Sequence, residues 1–152
     1  MPDKFAVIKK FFEEDLAFDR YLGLLVEEVR EGYARCRIPY KPELLGDPFR
    51  PALHGGVTSA LVDASTGLAA ISTLPLGSLA STVDLRVDYL RPGAPQDLFA
   101  EAQVLRSGSQ IAVIEVLIYQ ETDCERIETA RGRAVYSLKR LKPGPPSITD
   151  GV

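Results

Sequence analysis

The 152-residue chain is 45% hydrophobic and 26% charged, a length and composition that predict one globular domain with a substantial core. Its formal net charge is −3, with acidic and basic residues mixed along the sequence. This pattern argues against the clustered basic surface by which proteins bind nucleic acid. No apolar run approaches the roughly 18 residues that cross a bilayer, so we expect no membrane-spanning segment.

Cysteine usage and the first residues indicate the compartment. Cys36 and Cys124 are the only cysteines, and neither has neighbours at the spacing of a metal site. The N-terminal residues lack the basic and then apolar layout of a secretion signal. The sequence therefore predicts a cytoplasmic protein with free thiols and no bound metal.

The predicted elements begin with an amphipathic helix over about residues 3–21, where apolar residues keep helical spacing: Phe5, Ile8, Phe12 and Leu16. Two strands follow at 24–29 and 33–40, joined by a turn at 30–32. The segment 41–53 is predicted to be a loop, because four residues that break regular elements fall within it: Pro42, Gly46, Pro48 and Pro51.

The stretch 51–74 is the centre of the pattern, because His54, Gly55 and Gly56 there come just before a long helix. Its apolar residues recur every three or four positions and predict a buried stripe: Val57, Ala60, Leu61, Ala64, Leu68 and Ile71. Asp63 falls on a line with Gly56 and Gly67 at the edge of this stripe. Four further strands are predicted at 81–90, 98–106, 111–120 and 128–140, followed by a loose tail at 142–152.

This order of elements predicts an α+β domain over residues 1–141, in which an antiparallel sheet curls round the long helix. One helix covers only part of a six-stranded sheet, and an uncovered apolar edge or face is a liability. We therefore expect a partner subunit to cover it.

Two linked motifs mark the long helix and the strand after it as functional. His54, Gly55 and Gly56 open the helix, Asp63 follows nine residues after the histidine, and Thr82 opens the next strand in TVDLRVDYLRP. Glycines at a helix start leave amide N–H groups bare, and such a helix end attracts negative charge. Because an unpaired carboxylate is costly to bury, Asp63 is more readily explained by function than by structure.

These motifs and this order of elements resemble the hotdog-fold thioesterases, in particular the phenylacetic-acid-degradation (PaaI-like) type, over about residues 24–141. The resemblance implies hydrolysis of a small-molecule acyl-coenzyme A (acyl-CoA) thioester, with CoA as part of the substrate and no separate cofactor. It also implies a homodimer whose sheets join edge to edge, often paired again into a tetramer, with a substrate tunnel between subunits.

One position departs from that type of thioesterase. Its members commonly carry Asn six residues before the histidine, where this sequence has Pro48, with Asp47 one position earlier. Either Asp47 takes over the polar role with a different geometry, or this step of the chemistry is altered.

The residue types suggest roles in thioester hydrolysis. The backbone amides of Gly55 and Gly56 are expected to stabilise the oxyanion, and Asp63 to act as general base or to attack the acyl carbon itself. Burial beside apolar residues is expected to tune this carboxyl. The hydroxyl of Thr82, and secondarily that of Ser81, is expected to hold the attacking water.

Three further residues have weaker assignments. His54 is expected to orient its loop through its ring nitrogens rather than to act as the base. Arg50 and Arg91 are candidates for binding the nucleotide phosphates of CoA, on charge type alone. Plain surface charge is the simpler explanation of both arginines.

Two other functions fit parts of the pattern. A hydratase or dehydratase of the same fold would use His54 and Asp63 together on a hydroxyacyl chain, although the double glycine suits an oxyanion site better. A non-catalytic acyl-CoA binding module would keep the tunnel and lose turnover, in keeping with the absent Asn. The sequence does not specify the acyl group or choose between dimer and tetramer.

Overall fold

The computed structural model describes residues 2–142, in which a six-stranded antiparallel sheet wraps round one long helix. The helices are α1 (Lys4–Lys10), α2 (Ala17–Leu22) and α3 (Gly55–Ser72). The strands are β1 (Leu25–Arg30), β2 (Tyr33–Ile38), β3 (Leu45–Asp47), β4 (Ala52–Leu53), β5 (Leu79–Tyr89), β6 (Leu98–Ser107), β7 (Ile111–Glu121) and β8 (Arg126–Lys139). The large sheet has the order β1-β2-β6-β7-β8-β5, while β3 and β4 form a separate hairpin. The predicted α+β architecture is confirmed.

Helix α3 occupies the concave side of the sheet and is buried over more of its surface than the predicted stripe. Val57, Leu61 and Leu68 of that stripe are buried, and Val62, Ala69 and Ala70 are buried as well. A helix enclosed on nearly all sides needs small or apolar residues on most faces, which α3 has. The exposed residues of α3 are Gly55, Gly56 and Asp63, so the expected burial of Asp63 does not occur within this chain.

The N-terminal arm, residues 4–22, is an interrupted helix rather than a continuous one, which corrects the prediction of one helix over residues 3–21. A π-helical turn (Phe11–Asp15) separates α1 from α2, and the Leu16 N–H donates to the Phe11 carbonyl five residues back. Leu16 then takes an extended backbone with ψ 105° before α2 begins. Ile8 and Phe12 before Leu16, and Leu22 after it, are all buried, so the apolar residues of both parts pack on the core.

The segment before α3 is more ordered than a loop. A 3₁₀ turn (Pro42–Leu44) leads into the β3–β4 hairpin, and the His54 N–H donates to the Leu44 carbonyl. Strands of two and three residues are too short to show alternation in sequence, and Pro48 and Pro51 lie in the turn between them. The predicted tail at 142–152 lies outside the described residues except for Lys142.

Strand β5 forms an edge of the large sheet and pairs only with β8 within residues 2–142. Val83 is the extra residue of a β-bulge, since Thr82 pairs with Tyr136 and Asp84 with Val135. The Val83 side chain is 61% exposed. An eleven-residue edge strand with open backbone groups is a ready template for pairing with another chain.

Gly132 of β8 should tolerate no side chain. A Cβ atom there would lie 2.9 Å from Val116 Cγ1 and 3.0 Å from the Arg86 carbonyl oxygen, closer than atoms pack. We expect Gly132→Ala to lower the free energy of unfolding by about 1–3 kcal/mol through this overpacking. Urea denaturation measures the change, and the neighbouring Arg131→Ala should cost less than about 1 kcal/mol, because its ion pair is exposed. Equal effects would contradict the packing argument.

Candidate active site

The Asp63 carboxyl lies where α3, β5 and β8 meet. The Thr82 hydroxyl of β5 donates a 2.7 Å hydrogen bond to Asp63 Oδ1. The Tyr136 hydroxyl of β8 lies 2.7 Å from the Asp63 carbonyl oxygen and 3.1 Å from Oδ1. The structure thus brings together Asp63 and Thr82, two of the residues predicted from sequence, and holds the carboxyl in one orientation while leaving it exposed.

Tyr136 is a site residue that the sequence did not indicate. Its ring is buried, and its hydroxyl also lies 3.1 Å from the Thr66 hydroxyl. A Cβ at Gly67 would come within 3.1 Å of that oxygen, so the absence of a side chain at Gly67 leaves room for the tyrosine. Burial raises the pKa of Tyr136 to about 12, and the hydroxyl therefore stays neutral and remains a donor. Strand alternation places Tyr136 on the inner face but does not show what it contacts.

A large cavity of about 970 Å³ adjoins this carboxyl, between the N-terminal arm, α3 and the segment that leads into β5. Its polar lining residues are Asp63, Thr82 and Tyr136 at this end, together with Lys10, Asp15, Asp19 and Ser78. The rest is mainly apolar and comes from the arm and from the end of α3: Val7, Ile8, Phe11, Phe12, Leu16, Phe18, Ile71, Leu74 and Leu76. Such a cavity can hold an extended apolar group next to a carboxylate.

The start of α3 is capped by its own histidine. His54 is the N-cap residue, and its Nδ1 accepts a 2.8 Å hydrogen bond from the Gly56 N–H, while the Val57 N–H donates to the His54 carbonyl. Of the two amides predicted for an oxyanion, the Gly55 N–H is therefore the one without a partner in the described residues. The Gly55 carbonyl accepts a 2.8 Å hydrogen bond from the Tyr89 hydroxyl.

A second, smaller cavity of about 350 Å³ adjoins this helix start. Gly55 and Tyr89 line it, together with Arg91 and Gly93 of the segment after β5. Neither Asp63 nor Thr82 lines it. In one chain, the free amide and the carboxylate therefore face different cavities, and eight residues at 1.5 Å per residue separate Gly55 from Asp63 by about 12 Å along α3.

The other predicted residues lie away from the carboxyl. Asp47 accepts hydrogen bonds from the Phe49 and Arg50 N–H groups and pairs with the Arg50 guanidinium at 3.3 Å. These hydrogen bonds hold the pKa of Asp47 below its usual value. Ser81 is exposed and lines neither cavity, whereas Arg91 lines the smaller one.

Within residues 2–142, no group of three or more His, Cys, Asp or Glu side chains is placed to hold a metal ion. No helix of this part of the chain is long and apolar enough to cross a bilayer.

Comparisons with known proteins agree with this architecture. Residues 51–127 match the sequence family described as the thioesterase superfamily. The chain is 31% identical over 145 residues to "Medium/long-chain acyl-CoA thioesterase YigI" of Escherichia coli, covering 87% of this chain and 92% of the relative. It is 36% identical over 144 residues to a protein of Halobacterium salinarum provisionally named an esterase, covering 91% and 95%.

A solved structure extends the comparison to three dimensions. A crystal structure of a Shewanella oneidensis protein related to the thioesterase superfamily superposes with a TM-score of 0.77 at 27% identity. It covers 88% of this chain and 94% of that protein. Motif, sheet order and sequence similarity therefore agree that this chain is a hotdog-fold member of the thioesterase superfamily.

Proposed function

We propose that the protein hydrolyses acyl-CoA thioesters, with the Asp63 carboxylate acting at the thioester carbonyl carbon as general base or nucleophile. The observation that carries this proposal is the Asp63 carboxylate, oriented by Thr82 and Tyr136 on the wall of a largely apolar cavity. The acyl group would occupy this cavity. The similarity to a relative named for medium- and long-chain acyl-CoA supports acyl chains of that length, and so does the cavity volume of about 970 Å³.

The reaction follows from the charges of the groups. As a general base, Asp63 would take a proton from water while the water oxygen bonds to the thioester carbonyl carbon. The C–S bond of the resulting tetrahedral intermediate then breaks, releasing the free acid and the CoA thiolate, which takes up a proton. As a nucleophile, the Asp63 carboxylate would bond to the carbonyl carbon, the C–S bond would break with release of the CoA thiolate, and water would then hydrolyse the mixed anhydride to the free acid and the Asp63 carboxylate. In both routes an amide donor is needed for the oxyanion.

That donor would come from a second copy of the chain. The free Gly55 amide is about 12 Å from Asp63 of the same chain, so it cannot bind the oxygen of a carbonyl that this Asp63 serves. Strand β5 carries Thr82 beside Asp63 and Tyr89 beside Gly55, seven residues apart. Antiparallel pairing of two β5 edges about the midpoint between Leu85 and Arg86 would set Thr82 of each copy opposite Tyr89 of the other. Each site would then combine the Asp63 carboxylate of one copy with the Gly55 amide of the other.

The same geometry disfavours a hydratase. That reaction would require His54 and Asp63 to act together on one acyl chain. The His54 Nδ1 is instead occupied as the cap of α3, so this nitrogen is not free to act on a substrate.

Release of free thiol tests the proposal directly. The purified protein should release CoA from acyl-CoA substrates, and a panel from acetyl to palmitoyl, with phenylacetyl-CoA included, should show its best kcat/KM at medium or long chains. A disulfide reagent that absorbs on reaction with thiols measures the release. Hydration of an enoyl-CoA without thiol release would contradict the proposal.

Thr82→Val should reduce turnover without loss of stability. The valine keeps the side-chain shape but removes the 2.7 Å hydrogen bond that orients Asp63 Oδ1. We expect kcat to fall about 10- to 100-fold, since a charge-assisted hydrogen bond contributes about 1.5–3 kcal/mol. Thr82→Ser, which restores the hydroxyl, should recover most of the activity. If valine and serine gave the same kcat, the hydroxyl would have no such role.

A non-catalytic acyl-CoA binding module is the second candidate, and the loop before α3 favours it. The polar atoms of Asp47 are committed to Phe49 and Arg50 of their own loop. They therefore do not stand in for the Asn that this type of thioesterase commonly carries near the histidine. Tight binding of an acyl-CoA by the wild-type protein without any thiol release would identify this module.

A further inference from the structure

Asp19 of α2 is a further carboxyl on the wall of the large cavity, besides Asp63 and Asp15. Its residue surface is only 9% exposed, and no hydrogen bond or ion pair reaches its side chain within residues 2–142. Most of the wall around it is apolar. A carboxylate with no partner is costly in such surroundings unless water reaches it, and the cavity of about 970 Å³ is large enough to hold water beside Asp19.

The other ionisable groups near Asp19 do not neutralise it. Asp63 of α3 and Asp15 of the π-helical turn line the same cavity and add negative charge, while Tyr136 of β8 stays neutral. Burial keeps the Cys36 thiol of β2 neutral by raising its pKa. Lys10 of α1 is the one cation among the lining residues, and within residues 2–142 it forms no ion pair with Asp19.

We propose that Asp19 couples acyl-chain length to proton uptake: an apolar chain long enough to fill the cavity removes water from Asp19, which then binds a proton. This inference rests on the proposed binding of acyl-CoA, with the acyl group in the cavity. It makes Asp19 a specificity-determining residue, because a short acyl group leaves the water at Asp19 in place and a long one does not.

The direction of the pH dependence follows from this coupling. Burial, with a smaller contribution from the negative charge of Asp63, raises the pKa of Asp19 from 3.8 to about 6 in the empty cavity. Below pH 6 the carboxyl is mostly protonated, so a long chain binds without further cost. Above pH 6 binding must also bring in a proton, and the affinity for long chains falls up to tenfold per pH unit. At pH 7, filling the cavity should therefore make Asp19 take up about 0.9 proton.

Calorimetric titration with non-hydrolysable thioethers tests the coupling without turnover. S-decyl-CoA should bind the wild-type protein at pH 7 with uptake of roughly one proton more than S-ethyl-CoA, measured in buffers of different ionisation enthalpy. The short thioether is the matched control, because it carries the same titrating phosphates. From pH 6 to pH 8 the Kd of S-decyl-CoA should rise at least tenfold more than that of S-ethyl-CoA.

Variants assign the proton to its residue. Asp19→Asn should remove the chain-dependent uptake, and Asp15→Asn, at an exposed acid of the same cavity, should leave it unchanged. Binding of S-decyl-CoA with no extra proton by the wild-type protein would overturn the inference and leave the proposed function standing. Binding of neither thioether would overturn both.

Discussion

Asp63→Asn should lower kcat for acyl-CoA hydrolysis by about 10²- to 10⁴-fold, the usual contribution of a positioned acid or base. Asparagine keeps the side-chain volume and an oxygen that can accept the Thr82 hydroxyl proton at the 2.7 Å position. It cannot take a proton from water or attack the acyl carbon. The loss should therefore fall on kcat rather than on KM, because the acyl cavity is unchanged.

The stability of this variant should be close to that of the wild type. Asp63 is exposed in the subunit, and a substitution at an exposed site usually changes the free energy of unfolding by less than about 0.5 kcal/mol. Asp123→Asn, the same change in the turn between β7 and β8, is the matched control and should keep full activity. Equal kcat values for Asp63→Asn and the wild type would remove Asp63 from the chemistry.

Sequence periodicity was sufficient to predict the framework of the fold. The sequence predicted all six strands of the large sheet, with alternation in those at 33–40 and 81–90, and three- and four-residue spacing predicted α3 together with the position of Asp63. These signals are strong because one face of each element packs on a common core. They fail in the N-terminal arm, where the apolar residues keep helical spacing but a π-helical turn and the extended backbone of Leu16 interrupt the helix.

The site was less predictable than the framework, because its geometry is set by contacts between distant residues. Tyr136 contacts Asp63 from 73 residues away in the sequence. Asp19 lines the large cavity from α2, which begins after the extended Leu16. No local pattern encodes either contact. The two glycines were predicted to act alike, but the ring of His54 takes the Gly56 amide and leaves that of Gly55. Side-chain geometry at the cap, which sequence does not give, makes this distinction.

Mixing two inactive variants should restore activity if each site draws on two copies of the chain. Gly55→Pro removes the free amide at the first position of α3, where proline suits a helix, and His54 before it already has an extended backbone with ψ 133°. Loss of that oxyanion donor should lower kcat about 10²- to 10³-fold. Asp63→Asn lowers it at the other half of the site.

The mixed pair should contain one intact site. In a dimer of one Asp63→Asn subunit and one Gly55→Pro subunit, one site carries both substitutions and the other carries neither. After co-refolding at equal amounts, half of the dimers are mixed, so kcat per subunit should return to about a quarter of the wild-type value. If each site lay within one chain, every site would carry one defect, and mixing would restore nothing.

A charge at the free edge should block this rescue. In the pairing about the midpoint between Leu85 and Arg86, Val83 of each copy lies opposite Asp88 of the other. Val83→Glu, introduced into both variants, would therefore set two carboxylates opposite each other at each end of the contact, and light scattering should then show single subunits. Leu105→Glu is the matched control, because Leu105 is likewise the extra residue of a bulge and is 48% exposed, but it lies on β6 away from the edge. Rescue that persists with Val83→Glu and fails with Leu105→Glu would place the subunit contact elsewhere on the sheet. Rescue lost only with Val83→Glu would mean that each site combines Asp63 of one copy with the Gly55 amide of the other across the β5 edge.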